Sequence, residues 1–175
     1  VESPALLFKI DKKTLNYKLV YKETNEKAFY DSMQFWDDEN GLAVGDPTAN
    51  CMSIVLTKDG GNSWNKIACE NLPLAVEGEA AFAASNTNIV IKGNATWIVS
   101  GGKKARVFHS SDKGKSWSVM ETPIVQGKQM TGICTADFYN SSVGFISGGK
   151  YEVLNQNFDN KAVTYDGGKT WKLVA

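Results

Sequence analysis

Thr164-Tyr165-Asp166-Gly167-Gly168-Lys169-Thr170-Trp171 is one of three copies of a single octad. The earlier copies are Thr57-Lys58-Asp59-Gly60-Gly61-Asn62-Ser63-Trp64 and Ser110-Ser111-Asp112-Lys113-Gly114-Lys115-Ser116-Trp117. Each reads hydroxyl, any residue, Asp, any residue, Gly, any residue, hydroxyl, Trp. Three of the five tryptophans close a copy, so coincidence is a poor explanation. Every octad lies between two short strand-like runs and therefore reads as a hairpin turn. The Asp carboxylate accepts hydrogen bonds from backbone N–H groups just ahead of it. Gly two places on permits a positive φ. The hydroxyls tie the two arms together, and Trp opens the outgoing strand with a large apolar body and one N–H donor. These roles are complete without a substrate, so Asp59, Gly61, Trp64, Asp112, Gly114, Trp117, Asp166, Gly168 and Trp171 are read as structural.

The octad aspartates stand 53 and then 54 residues apart. Around each, the sequence alternates strand-like runs and turn signals. The first unit reads 31–36, 42–45, 52–56 and 64–69; the second reads 80–84, 88–92, 97–100, 105–109 and 116–121, with an extra segment around Gly93-Asn94. The third reads 131–138, 144–147, 161–164 and 171–174, with a long break over 148–160. Short apolar strands end alike at Val44-Gly45-Asp46, Ser100-Gly101-Gly102 and Ser147-Gly148-Gly149. Runs 5–10 and 17–21 flank a worn turn that keeps Asp11 and puts Tyr17 where Trp would stand, one place late. Four strands per unit at a period of about 40–50 residues mark propeller blades. The fold class is all-β: three full four-stranded antiparallel blades plus a partial one. The boundaries are 1–27 for the last two strands of a preceding blade, then 28–75, 76–125 and 126–175. Only residues 73–82 read as a stretch that coils briefly.

Of 175 residues, 42% are hydrophobic and 11% aromatic, which suits a packed globular chain. Nineteen basic and nineteen acidic residues cancel, and this balance disfavours a nucleic-acid or anionic-membrane partner. No apolar run reaches membrane-span length, and Val1-Glu2-Ser3-Pro4 lacks a signal pattern. Three cysteines without a C-x-x-C pair, beside a single His, argue against a zinc site, and no cofactor is expected. Cys51 and Cys69 lie on opposite arms of the first hairpin. A cross-strand disulfide there is conceivable but a one-residue register slip forbids it, so free buried thiols are the favoured reading.

The octad S/T-x-D-x-G-x-x-W resembles the Asp-box, or BNR, repeat of sialidases. Two longer stretches, 35–47 (Phe35-Trp36-Asp37 to Asp46-Pro47) and 78–85 (Gly78-Glu79-Ala80 to Ser85), resemble bacterial exported BNR-repeat proteins, labelled glycosyl hydrolase or photosystem II stability/assembly factor-like. The resemblance implies a propeller about twice this length, of which this chain is a piece, exported to a bacterial periplasm or cell surface. Three full blades and a partial one cannot close a ring and would leave apolar blade faces in water, so the ring is expected to be completed by a second copy or by further parts of a longer chain.

The same resemblance places the Asp turns on one rim and ligand chemistry on the opposite mouth. Polar candidates there are Asp31, Asp46, Glu77, Glu79, Lys103, Lys104, Arg106, Tyr151, Glu152 and Asp159. A sialidase needs three arginines to clamp a carboxylate, and Arg106 is the only one in the chain. A glycosidase needs two facing carboxylates, and Asp46 with Glu79 is the pair to test. Arg106, Lys103, Tyr151 and Glu77 are candidate binding residues. His109 precedes an octad and reads as a strand residue; Trp36 and Trp97 read as core. The expectation is a non-catalytic propeller scaffold that binds a protein or carbohydrate opposite the Asp boxes. The alternative is a glycoside hydrolase-like enzyme using paired carboxylates.

Overall fold

A computed structural model describes residues 2–83, 87–153 and 155–174. β1 (Ala5–Ile10) and β2 (Tyr17–Glu23) form a separate two-stranded hairpin. β3 (Tyr30–Phe35), β4 (Gly41–Gly45), β5 (Ser53–Thr57) and β6 (Asn65–Lys66) pair in chain order as a four-stranded antiparallel sheet. β7 (Glu79–Ala80) is followed by β8 (Ile89–Lys92), β9 (Ala95–Val99), β10 (Gly101–Gly102), β11 (Arg106–Ser110) and β12 (Ser118–Glu121). Of these, β8, β9, β11 and β12 make the second four-stranded sheet. β13 (Thr131–Phe138), β14 (Gly144–Lys150), β15 (Lys161–Thr164) and β16 (Lys172–Leu173) make the third, and β10 and β7 extend it across β13. A 3-10 turn spans Cys69–Asn71, just ahead of the stretch 73–82 expected to coil briefly.

The first strand of each sheet is innermost, because β3 lies against β8 and β8 against β13. Side chains alternate across each strand and so serve the cores on either side. Leu42, Val44 and Ile54 face Ile89, Ile98 and Phe108 of the next sheet. Ala43 and Val55 face the opposite way, onto Ala5 and Leu7 of the hairpin. Trp97, Val99 and Val107 meet Ile133, Phe138 and Ile146 of the third sheet. This explains why β4, buried along its whole length, reads as a continuous apolar run.

The three octads repeat one geometry. The hydroxyl of Thr57, Ser110 or Thr164 donates to its Asp at 2.8 Å and accepts from the N–H of Gly61, Gly114 or Gly168 at 2.8 Å. The Asp also takes the N–H (2.9 Å) and hydroxyl (2.6 Å) of Ser63, Ser116 or Thr170. The three glycines have φ of +80°, +78° and +90°, in the left-handed region that a Cβ resists. Asp11 makes a reduced version, accepting from the N–H groups of Lys13 and Thr14 at 2.9 and 2.7 Å.

The recurrent glycine at the far end of each second strand also has a steric cause. A Cβ on Gly45, Gly102 or Gly148 would stand 2.2, 2.1 or 1.8 Å from the carbonyl oxygen of Phe29, Gly78 or Gly132. Irregular pairing beside two of these points, between Tyr30 and Ser32 and between Ile133 and Thr135, marks bulges in the inner strands.

The structure changes three sequence-based expectations. The second unit's extra segment is not at Gly93-Asn94, which is the tight β8–β9 turn. It falls between Ala80 of β7, paired with Gly101, and Ile89 of β8, paired with Ile98. Of the strand expected over 80–84, only Ala80 among the described residues is in a strand, the end of β7; Ala84 lies outside the described residues. The break expected from Gly148 is delayed, because β14 runs on to Lys150 against Thr131. Finally, Cys51 and Cys69 are not free thiols. They are joined in a disulfide with Cα atoms 5.5 Å apart, and Cys134 is the free cysteine. The register was favourable after all, because a bridge between Cys51 and Leu74 draws the segment after Cys69 back along the β4–β5 connection.

Candidate binding mouth

Opposite the octads, the sheet ends are closed by the β4–β5 connection, the link from β6 to β7 and the stretch after β14. Arg106 and Glu79 do not offer themselves to a ligand there, contrary to their reading as candidates. Glu79 is buried, with its side chain 0% exposed, and Arg106 is 8% exposed. The guanidinium Nε donates to Glu79 Oε1 at 3.0 Å, and Nη2 binds Oε2 and, at 2.8 Å, the Leu74 carbonyl. Ser100 Oγ donates to Oε1 at 2.6 Å and the Val76 N–H to Oε2 at 3.0 Å. The Arg106 guanidinium also sits 5.3 Å from the Phe108 ring centroid. Every element that a buried ion pair needs is present: two-point contact and further bonds on the remaining lone pairs. The pair fastens the link between the first two blades onto β11.

Asp46 is half-buried and accepts the Ala81 N–H at 2.9 Å, which anchors the start of the insertion. Burial pushes its carboxyl up, against the pull of that N–H. Asp31, on the innermost strand β3, is pushed up to about 7, first by burial and then by the negative charge of Asp46. Neither Asp31 oxygen makes a hydrogen bond of normal geometry among the described residues, although the Ala83 N–H nearby still favours the charged form. Sequence reasoning named both acids but paired Asp46 with Glu79; the inner strand brings it to Asp31 instead.

The other candidates scatter. Glu77 is exposed at a cleft of about 410 Å³ that Lys27, Asp46, Pro47, Asn50 and Val76 also line. Lys103 is exposed and lies along Gly78. Lys104 pairs with Glu121 at 3.0 Å on the surface. Glu152 and Asp159 are exposed on the stretch after β14. His109 is half-buried against Trp97, ring centroids 5.2 Å apart, and burial then Lys169 push its imidazole down. Trp97 is fully buried and donates to the Gly167 carbonyl at 2.8 Å, joining the second blade to the third octad. Trp36 does the same one blade earlier, donating to Thr96 Oγ1 at 2.8 Å.

Tyr151 is 74% exposed and stands over a cleft of about 510 Å³ at the mouth end of the third blade. Phe82, Met130, Cys134 and Val153 make its walls mainly apolar, and Thr131, Lys150, Gln156 and Asn160 add polar groups. Sequence reasoning missed Phe82, Met130 and Cys134, because each reads as an ordinary residue in or beside a strand. Only the insertion after β7 carries Phe82 to the third blade, where its ring lies over Gly101. No cluster of three or more metal-ligating side chains occurs among the described residues.

Radial four-stranded sheets with Asp-box corners and a cleft-bearing opposite mouth define a β-propeller of the BNR class, present here as part of a ring. More narrowly, the chain belongs to the family described as photosynthesis system II assembly factor YCF48, whose match covers residues 11–131. Among solved structures it is similar to YCF48 bound to D1 peptide, at 23% identity and TM-score 0.57, over 83% of this chain and 39% of that one. It is similar to YCF48 from Cyanidioschyzon merolae at 20% identity and TM-score 0.55, over the same shares of 83% and 39%. An ancestral GH74 enzyme matches at 12% identity and TM-score 0.58, over 91% of this chain and 20% of that one. At these identities the likeness is one of fold, and the chain spans 39% of the length of either YCF48. No curated protein matches it.

Proposed function

We propose that this chain is part of a non-catalytic propeller platform that binds a segment of another protein at the mouth opposite the Asp boxes. The apolar cleft under Tyr151 carries this reading. A cavity of a few hundred Å³ with mainly apolar walls and polar groups at its edge suits an apolar side chain from an extended peptide. That a family member is solved with a D1 peptide supports a protein ligand over a sugar. The glycoside hydrolase reading loses the Asp46–Glu79 pair on which it was built, since both Glu79 oxygens are bound by Arg106, Ser100 and the Val76 N–H.

An exported location, in a bacterial periplasm or at the cell surface, is part of the proposal. The Cys51–Cys69 disulfide supports it, since such bonds persist in oxidising compartments. The test is panning of a phage-displayed random peptide library on the chain, followed by titration of enriched peptides. Tyr151→Ser and Met130→Ser should each weaken binding, while Glu77→Gln, in the other cleft, should not. Enriched peptides indifferent to the first two changes would refute the site. Turnover of fluorogenic glycosides, lost in Asp46→Asn, would refute the non-catalytic reading.

A further inference from the structure

We propose that the hollow between the first two blades, on the rim that carries the Asp boxes, binds an anionic sugar chain bearing carboxylate or sulfate groups. This hollow lies at the opposite end of the sheets from the Tyr151 cleft, so its role is independent of the peptide reading there. It measures about 520 Å³, as large as that cleft. Trp36, Leu56 and Ile67 of the first blade, each half-buried, form its apolar side. Lys58 lines it from the first octad, and Lys113 and Lys115 line it from the second. Among the described residues no acidic side chain lines it. In a chain whose acidic and basic residues are equal in number, three ammonium groups around one hollow are a local excess. Lys113 is paired with Asp37 at 2.6 Å. Lys58 and Lys115 are exposed and have no ion-pair partner among the described residues.

Backbone conformation supplies a second observation. The fourth octad position is Gly60 in the first copy and Gly167 in the third, at φ of +66° and +78°. In the second copy it is Lys113 at +58°, in a region that residues other than glycine seldom occupy. A cationic side chain is therefore kept at the hollow against the local preference of the backbone. The corresponding positions at the junction of the second and third blades are Ser111, Gly167 and Lys169, one lysine instead of three.

The lining favours a sugar over a peptide. The β5 backbone beside the hollow is paired with β4 on one edge and β6 on the other, so an extended peptide finds no free strand edge there. A sugar ring needs only side chains: its C–H face packs on aromatic or aliphatic surface, and its hydroxyls exchange hydrogen bonds with amides. Asn40 donates its Nδ2 to Asp37 and keeps its side-chain oxygen unpartnered among the described residues. Asn71, also in the lining, is exposed. The ammonium groups of Lys58 and Lys115 then meet the carboxylate or sulfate, an attraction that salt screens.

The test titrates the full chain by calorimetry with oligogalacturonate and with sulfated dextran oligomers, beside neutral dextran and hexaglutamate. At least one anionic sugar should bind, and which one binds identifies the charged group. Its affinity should fall as salt is raised, and should drop roughly three- to tenfold in Lys58→Gln/Lys115→Gln. Lys113→Gly, which restores the glycine of the other octads, should weaken binding as well. Lys13→Gln/Lys172→Gln makes the same change in net charge outside the hollow and should bind as the wild type does. Binding of neither anionic sugar would overturn the proposal, as would an equal loss in the control variant. Hexaglutamate bound more tightly than either sugar would also overturn it, since an acidic peptide would then be the occupant.

Discussion

Replacing Glu79 by Gln tests whether the Arg106 pair is a structural clasp. Gln keeps the shape of the side chain but turns one oxygen into an NH2 group. In either position that group faces the Arg106 guanidinium, beside the Ser100 hydroxyl or the Val76 N–H, so donor meets donor. Because both side chains are nearly inaccessible, Arg106 keeps its charge without an adequate counter-ion. Removing one member of a buried pair costs about 3–5 kcal/mol. For a chain of this size each kcal/mol lowers Tm by about 2–4 °C, so the loss should be roughly 6–20 °C. Removing both charges in Glu79→Leu/Arg106→Met should cost much less than the sum of Glu79→Leu and Arg106→Met alone. What remains is the Leu74 carbonyl and the Val76 N–H without these partners, each worth about 1–3 kcal/mol at most, while the Ser100 hydroxyl keeps its bonds to the backbone of residue 106. Urea unfolding of the wild type, Glu79→Gln, both truncations and the double variant, followed by circular dichroism, measures every quantity. A cost below about 1 kcal/mol for Glu79→Gln would refute the argument. Additive truncations would do so as well.

Alkylation under denaturing conditions should label one cysteine without reductant and three with it. Breaking the Cys51–Cys69 bond should lower stability by about 2–4 kcal/mol in reductant titrations read by unfolding. Asp59 and Asp166 are held at about 2 by the side-chain and backbone bonds of Ser63 and Thr170. Asp112 reaches about 2 although burial opposes the bonds of Ser116 and Ser110. Their stabilisation is therefore present above the ordinary value of 3.8 and lost as pH falls through about 2. Asp112→Asn should flatten the stability profile in that window, and an unchanged profile would contradict the geometry. Asp31 has the opposite sign: its raised value makes it destabilising as pH climbs from 3.8 through about 7. Asp31→Asn should thus raise Tm at pH 8 and change little near pH 4. Trp97→Phe should cost about 1–3 kcal/mol by leaving the buried Gly167 carbonyl without its donor.

The corners were legible because each is built from eight consecutive residues. An Asp that caps its own turn needs no distant partner, so spacing and residue type carried the information. Strand positions followed for a similar reason, since alternation and short apolar runs are local. The mouth was not legible. Glu79 and Arg106 are 27 residues apart and both look like surface charges, until the link between blades folds over β11 and excludes water from them. Cys51 and Cys69 needed a register that the sequence leaves open by one residue. Phe82 reached the cleft only because β7 just before it pairs with β10 and so joins the third sheet.

Taken alone, the chain of residues determined the class of fold, the three Asp-box corners, and the outer-half character of the first hairpin. All of these rest on neighbours within about a dozen positions, where backbone hydrogen bonding and side-chain alternation decide the outcome. The tertiary structure alone decided which charges are clasps and which face a ligand, which acids are neighbours, and where an apolar hollow opens. Those depend on burial, and burial is a property of how separate blades come together rather than of any one stretch.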